Sequence, residues 1–415
     1  MRAVVSKYYR KWVPYRIRHK IRECVYYMVY MLRHDKFVDV NSTAFKQKSE
    51  ELYCENVTLF YVSPQTIQNA IVVPKTSEPI CESWSSKIYK FRKVSCFGAS
   101  DIIKLDRYHY FYEIRDYYRQ ARRVDVSTRD TAPLIVDEND YYVFHHYSKS
   151  FIHIDKGILL SSYWASNYYH FTFQCLAKLR LCGNIDKRVP LLVNDAVAKY
   201  SSFQQLLQIC NVNEREIILL AKDKQYDIDE LYYISPQIIS APSYKRGVIL
   251  SKDNMYLKES LTYLRKMMLP YIDKEYQVPE KVFLARRYAS DRRGYNEEEC
   301  FRALKPYGFT EVRPETLNIG QQIALFNKAK CIVGATGAAF TNLIYGNAKC
   351  KYIILKATKS EESIFSTLAT FNGAQLVYLC SSICSQEIDA SHIHDSFKID
   401  INELKKCIET LYVFS

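Results

Sequence analysis

Residues 282–355 read VFLARRYASDRRGYNEEECFRALKPYGFTEVRPETLNIGQQIALFNKAKCIVGATGAAFTNLIYGNAKCKYIIL. Short apolar runs bounded by turn residues predict strands over 281–285, 309–312, 331–334 and 352–355. Two helices separate them. Asn296 followed by Glu299 has the N-cap and N3 pattern of a capping box, Cys300, Phe301, Leu304 and Tyr307 recur at helical spacing, and Gly308 supplies the stop. Asn318 with Gln321 repeats the device ahead of the stripe Ile319, Ile323, Phe326 and Ala329. Strands alternating with helices of this length imply right-handed βαβ units and a parallel sheet. Arg286, Arg287, Arg292 and Arg293 follow one strand, and the turn Gly334-Ala335-Thr336-Gly337-Ala338-Ala339 follows another. Fixed positive charge and a helix start at the carboxyl edge of a parallel sheet suit a phosphorylated ligand. The stretch reads as half of a nucleotide site.

Upstream, strands are expected over 158–160, 190–193, 217–220 and 231–234, and helices over 167–181, 202–210 and 254–268. Strands and turns mix with charged runs over 71–140. A second α/β layer system therefore precedes the first, and a chain of 415 residues exceeds what one core usually organises. The break is placed in 269–279, between the end of a helix and Pro279. The expected fold is α/β with two Rossmann-like domains facing across a cleft: a basic extension over 1–40, one domain over 41–270 and one over 271–415. The last helix, 401–413, is expected to cross back over the cleft.

Two separated motifs carry a resemblance. The first is Arg286, Arg292-Arg293, Asn296-Glu297, Gly308-Phe309, Pro314-Glu315, Gln322-Ile323, Ala329-Lys330, then Gly334, Gly337, Ala338 and Asn342; the second is Asn167-Tyr168-Tyr169-His170-Phe171. In this order they resemble the glycosyltransferase family 61 domain, over roughly residues 100–400. The resemblance implies the GT-B arrangement, with acceptor bound by the first half and sugar nucleotide by the second. It also implies an inverting transfer of a sugar from a nucleoside diphosphate, expected to be a uridine diphosphate sugar, to an acceptor hydroxyl.

Departure of the diphosphate concentrates negative charge on the leaving group. Guanidinium stays protonated and forms forked, charge-assisted bonds to phosphate, so Arg286, Arg287, Arg292 and Arg293 are the expected donor ligands. Their bland alternative is a solvated loop paired with Glu297, Glu298 and Glu299. The amides at the helix start near Thr336, Gly337, Ala338 and Ala339 are expected to supply the rest, since small residues let a phosphate approach the backbone; family position puts Thr336, Thr341 and Asn342 beside the donor, although these three also suit a purely structural turn. His170 is the candidate base because imidazole titrates near neutrality; a hydrogen-bonded core histidine is the competing reading. Gln174 accompanies it as a catalytic candidate, and Asn167, Tyr168, Tyr169 and Gln322 are expected at the cleft. No metal is expected, since there is no DxD motif, and no cofactor beyond the donor. Three positions depart from the family pattern. Gln174 stands where many members carry Glu or Asp, Thr336 where many carry His, and the strand 352–355 ends without an acidic residue.

Composition bounds the remaining classes. With 48% hydrophobic and 25% charged residues the chain is ordinary globular protein. It has no GxGxxG and no GxxxxGK[ST], which excludes the usual nicotinamide and P-loop sites. Thirteen cysteines without a CxxC pair, and no secretory leader, predict reduced thiols in a cytoplasmic protein. Ten Lys or Arg against Glu23 and Asp35 put +8 of the net +13 within Met1 to Lys36. Aromatic residues interleave with them, and the apolar run 24–32 is too short to span a bilayer. A helix of this kind lies on anionic lipid or packs on the protein's own body; nucleic acid is not the expected partner. The expected setting is peripheral, at the inner face of the cell membrane. The acceptor is then a growing surface polysaccharide or lipid-linked glycan of capsule or lipopolysaccharide type. The competing class is a catalytically weak or inactive nucleotide-sugar-binding or scaffold protein of a polysaccharide assembly complex.

Overall fold

The computed structural model describes residues 36–68, 70–75, 79–114, 134–136, 141–143, 152–162, 164–240, 251–286, 294–359, 362–381 and 396–413. The basic extension, up to residue 35, lies outside them. So do Arg287, Arg292 and Arg293. Among the described residues no helix is long and apolar enough to cross a membrane.

The chain forms a mixed α/β fold on two large sheets. Eleven strands make the first: β1 (Lys36–Val38), β2 (Ser49–Tyr61), β5 (Ile80–Phe97), β6 (Ile103–Lys104), β7 (His109–Phe111), β10 (Ile152–Leu160), β11 (Leu191–Asn194), β12 (Ile217–Leu220), β13 (Gln225–Ile234), β14 (Ile238–Ser240) and β15 (Asn254–Leu257). Seven make the second: the hairpin β3 (Pro64–Gln68) and β4 (Ile71–Pro74), then β16 (Lys281–Leu284), β17 (Thr310–Val312), β18 (Cys331–Ala335), β19 (Lys351–Lys356) and β20 (Gln375–Cys380). A separate pair joins β8 (Leu134–Val136) to β9 (Tyr141–Val143). Among the described residues the α-helices are α1 (Thr43–Lys48), α2 (Tyr168–His170), α3 (Ser201–Cys210), α4 (Lys258–Met268), α5 (Glu297–Leu304), α6 (Ile319–Lys328), α7 (Ile364–Phe371) and α8 (Ile401–Val413).

The second sheet matches its reading closely. Its order is β17-β16-β18-β19-β20-β4-β3, and the first five strands are parallel. Numbered along the chain, those five run 2-1-3-4-5, so the direction of winding reverses between β16 and β18. Strands β18 and β19 are buried nearly throughout because helices cover both faces. Alternate residues divide between two cores. Ile332 and Ile354 pack with α6 and α7, whereas Val333 and Ile353 pack with α5 and α8. Gly308 ends its helix at φ 84°, and Asn318 and Gln321 close a full capping box. Asn296 does not cap α5: its amide instead accepts from the Ile399 N–H at 2.8 Å and donates to the Ile399 carbonyl at 3.0 Å. That pair of hydrogen bonds ties the approach to α8 onto the start of α5. Leu404, Cys407 and Ile408 of α8 then bury in the core of their own half, where a crossing over the cleft was expected.

The first sheet is less regular than a Rossmann-like half. β10, β11 and β12 are parallel as expected, but β13 pairs antiparallel with the long β5, and β5 with the long β2. The expected helix over 254–268 begins only at Lys258, because Asn254–Leu257 pairs with β2 and β14 as a strand.

Residues 64–74, expected in the first half, belong to the second sheet. The hairpin docks with β4 antiparallel to β20, and Cys380 donates its N–H to the Ala70 carbonyl at 2.9 Å. Around it Thr367 Oγ1 accepts from the Val62 N–H at 2.9 Å, and Ser366 Oγ donates to the Val62 carbonyl at 2.6 Å. One continuous core accordingly holds residues from both sheets, among them Phe60, Phe171, Leu264, Leu284 and Phe340.

Candidate active site

The site grows from the reversal between β16 and β18. At the end of β16 the Arg286 N–H donates to Glu297 Oε1 at 2.8 Å, and Arg286 Nη1 donates to the Thr336 carbonyl at 2.8 Å. The Thr336 N–H in turn donates to the Leu355 carbonyl at 2.8 Å, holding the turn after β18 against β19. Burial draws the Arg286 guanidinium below arginine's ordinary value, while Tyr295 and Glu297 oppose the shift. It remains a cation at any physiological pH. Gly334 permits the close approach of the two strands: a Cβ there would meet Leu284 Cβ at 2.9 Å.

Beyond Thr336 the chain is extended through Gly337 and enters a 3₁₀ helix, Ala338–Tyr345. Its far end is firmly held. Arg265 Nη1 donates to the carbonyls of Ile344 at 2.6 Å and Gly346 at 2.8 Å; Asn327 Nδ2 donates to that of Tyr345 at 2.9 Å, and Asn372 to that of Leu343. Side chains thus satisfy the carbonyls that a helix end leaves open. Thr336, Gly337, Ala338 and Ala339 at the other end remain partly exposed, with small side chains that let a ligand approach the backbone. Thr341 and Asn342 are fully buried behind the turn. Asn342 spends both amide atoms internally, accepting from the Tyr168 hydroxyl at 2.8 Å and donating to Gln322 Oε1 at 2.9 Å. Neither side chain therefore offers a donor an exposed face: Asn342 bridges to Tyr168 of the other half, and the Thr341 hydroxyl is sealed without a hydrogen-bond partner among the described residues.

Facing the turn, Asn167 caps α2 by accepting from the Tyr169 N–H at 2.9 Å. After one short turn the helix widens into a π turn, Phe171–Cys175, and tightens into a 3₁₀ stretch, Leu176–Asn184. Such an inserted turn is often found at functional sites. It sets off His170 and Gln174. The His170 ring lies edge-on to Tyr169 at 5.1 Å and tilted against Trp164 at 6.4 Å, with Nδ1 buried and without a hydrogen-bond partner. Burial pulls the imidazole down to about 4, and a hydrogen bond with Gln174 offsets part of that shift. At neutral pH the ring is uncharged and able to accept a proton.

Tyr169 lies in the core, its hydroxyl 2.7 Å from that of Tyr256, so it does not line an open cleft. Tyr168 and Gln322 are committed to the Asn342 bridge. Three residues beside Arg286 or bracing the turn were not singled out in the sequence: Tyr295, Arg265 and Asn372. Glu297 had a sequence signal, as the acidic residue opening α5; its burial at 5% relative exposure depends on the fold.

Among the described residues, one trio brings His and carboxylate ligand atoms within 4.8 Å of one another: His153, Asp155 and Asp229, all exposed on the first sheet. In a comparison with known proteins, residues 168–353 match the family model described as Glycosyltransferase 61. No curated protein matches the chain.

Proposed function

We propose that the glycosyltransferase family 61 domain carried by residues 168–353 transfers a sugar, with inversion, from a nucleoside diphosphate donor to the hydroxyl of a growing surface polysaccharide or lipid-linked glycan. A domain of this family implies sugar transfer; the donor class, the inversion and the acceptor are our reading. The observation that carries it is Arg286, a partly buried guanidinium lodged against the Thr336–Gly337 turn where the sheet winding reverses. In open α/β sheets ligands bind in the crevice beyond that reversal.

In this reading the diphosphate lies over the turn, received by Arg286 and the leading amides of the 3₁₀ helix. Arg287, Arg292 and Arg293, which follow Arg286 in the sequence and lie outside the described residues, are assigned to the same anion in this proposal. As the bond from the anomeric carbon to phosphate breaks, negative charge accumulates on an oxygen facing groups already in place, so little reorganisation is needed. The acceptor oxygen attacks the opposite face of the sugar. Its proton goes to a base on the far wall, where His170 stands neutral. Gln174 orients the ring, since an amide cannot take a proton at neutral pH. The uridine nucleotide, the absence of a metal and a capsule or lipopolysaccharide setting extend the same proposal. So does a basic segment, Met1 to Lys36, that holds the enzyme to anionic lipid at the inner membrane face.

Calorimetry with a panel of nucleotide sugars, followed by donor hydrolysis and acceptor assays, tests the reading. Donor binding with turnover is expected. Binding without any turnover would instead support the nucleotide-sugar-binding or scaffold reading, which draws on the low basicity of His170 and the amide at Gln174.

A further inference from the structure

The proposed transfer brings an acceptor hydroxyl to His170, and a glycan presents many hydroxyls of similar chemistry. Choosing among them requires a surface that holds the sugar ring itself. A pyranose has an apolar C–H face bordered by hydroxyls, so it can lie flat on an aromatic side chain while its rim stays free for hydrogen bonds. Beside His170 stands one such side chain, Trp164.

Trp164 lies between the carboxyl end of β10 and the start of α2. Backbone bonds brace it there. Ala165 donates its N–H to the Ser162 carbonyl at 3.2 Å, and Asn167, the cap of α2, donates its own to the Trp164 carbonyl at 2.8 Å. Ser161 and Ser162 are buried, and the Ser161 hydroxyl donates to the Gly98 carbonyl at 2.8 Å. Ala165, Tyr169, Phe171 and Phe173 enter the core, whereas Trp164 lies outside that cluster and keeps part of its indole at the surface beside the exposed Ser166 and Asn167. A large aromatic ring on a braced backbone loses little freedom when a ligand covers it.

The indole and imidazole ring centres are 6.4 Å apart, with the planes tilted by 35°. Atoms in contact stand about 3.5–4.0 Å apart, so a ring inserted between two others needs roughly 7 Å or more. A sugar therefore does not fit between Trp164 and His170. It fits on the exposed part of the indole, and its hydroxyl rim then borders the imidazole.

We propose that Trp164 is the acceptor platform: a pyranose of the growing glycan lies on the indole and turns one hydroxyl towards His170. The assignment rests on the transferase reading above. It makes Trp164 a determinant of which hydroxyl is glycosylated and gives it no part in holding the diphosphate.

The test uses the full chain, with the methyl pyranosides of glucose, galactose and N-acetylglucosamine as probes and sorbitol as a polyol without a ring face. The chain has three tryptophans, Trp12, Trp84 and Trp164, so intrinsic emission reports binding without turnover. At least one pyranoside is expected to change wild-type emission saturably, sorbitol is not, and Trp164→Phe should lose the change. In transfer assays Trp164→Ala should raise the acceptor KM roughly tenfold or more. Donor hydrolysis and uridine diphosphate affinity should stay within about twofold of wild type. Trp164→Phe, which keeps a ring, should fall between the two and carries the test if the alanine variant does not fold. A wild type silent to every pyranoside, an emission change that survives Trp164→Phe, or an acceptor KM unmoved by these variants would each overturn the platform alone. A wild type whose emission answers through Trp164 but which never cleaves a nucleotide-sugar donor would overturn the transferase reading while the sugar contact stands.

Discussion

The Tyr168 hydroxyl donates to Asn342 Oδ1 across 2.8 Å, joining residues 174 positions apart and fixing the His170 helix against the helix that follows the Gly337 turn. The bond has no solvent to fall back on, since Asn342 is fully buried. Tyr168→Phe should therefore cost about 1–3 kcal/mol by leaving a buried acceptor unmet. Urea unfolding of Tyr168→Phe, Asn342→Ala and the double variant will measure it as a coupling energy. Additive single losses would mean that the two groups act independently.

Arg286 should be the least replaceable side chain of the crevice. Arg286→Ala is expected to reduce donor turnover by about 10²-fold or more. Arg286→Lys should recover little, because a point charge cannot hold the Thr336 carbonyl and a phosphate together as a planar fork does. Steady-state hydrolysis of the donor provides the readout, and a near-normal lysine variant would contradict the forked geometry.

His170 sets a direction for acid sensitivity. Its imidazole is held near 4 in the folded chain against about 6.5 when unfolded, so the unfolded chain binds more protons between those values. Its contribution to stability is complete above about pH 6.5 and is lost as pH falls towards 4. Urea midpoints recorded from pH 7 to pH 4 should fall more steeply for wild type than for His170→Gln; equal slopes would show that the ring is not held neutral by burial.

Gly334→Ala places a methyl group 2.9 Å from Leu284 Cβ, between the strands that carry the Arg286 cation and the Thr336 turn. Overpacking of this kind costs about 1–3 kcal/mol. Both the thermal midpoint and the affinity for uridine diphosphate should drop, because the strands must part to make room. A fall in stability with unchanged affinity would separate the strand spacing from the binding crevice.

The second sheet was readable in the sequence because its signals are local. Strands buried on both faces appear as unbroken apolar runs, and the capping residues around Asn318 and Gly308 act within their own helices. The placement of Arg286 and the Gly337 turn followed from the same alternation. The first sheet was harder to read. β2 and β5 expose one edge or face along much of their length, so charged residues such as Glu50, Glu51 and Arg92 interrupt the apolar pattern. Pairing between Ala70 and Cys380 has no local signature at all. Asn342 and Thr341 were misplaced for a related reason: small polar residues after a glycine turn look like ligand contacts until their surroundings reveal that they are sealed.

The loan of two strands by residues 64–74 makes the chain hard to divide. A cut in the connection near residues 270–279 would not release two self-sufficient bodies, since the piece from 281 onward would present an unpaired Gln375–Cys380 border inviting association with other chains. The same loan limits how the crevice breathes. Wide hinge-like gaping would have to peel the hairpin from its host or break the Val62 bonds to Ser366 and Thr367.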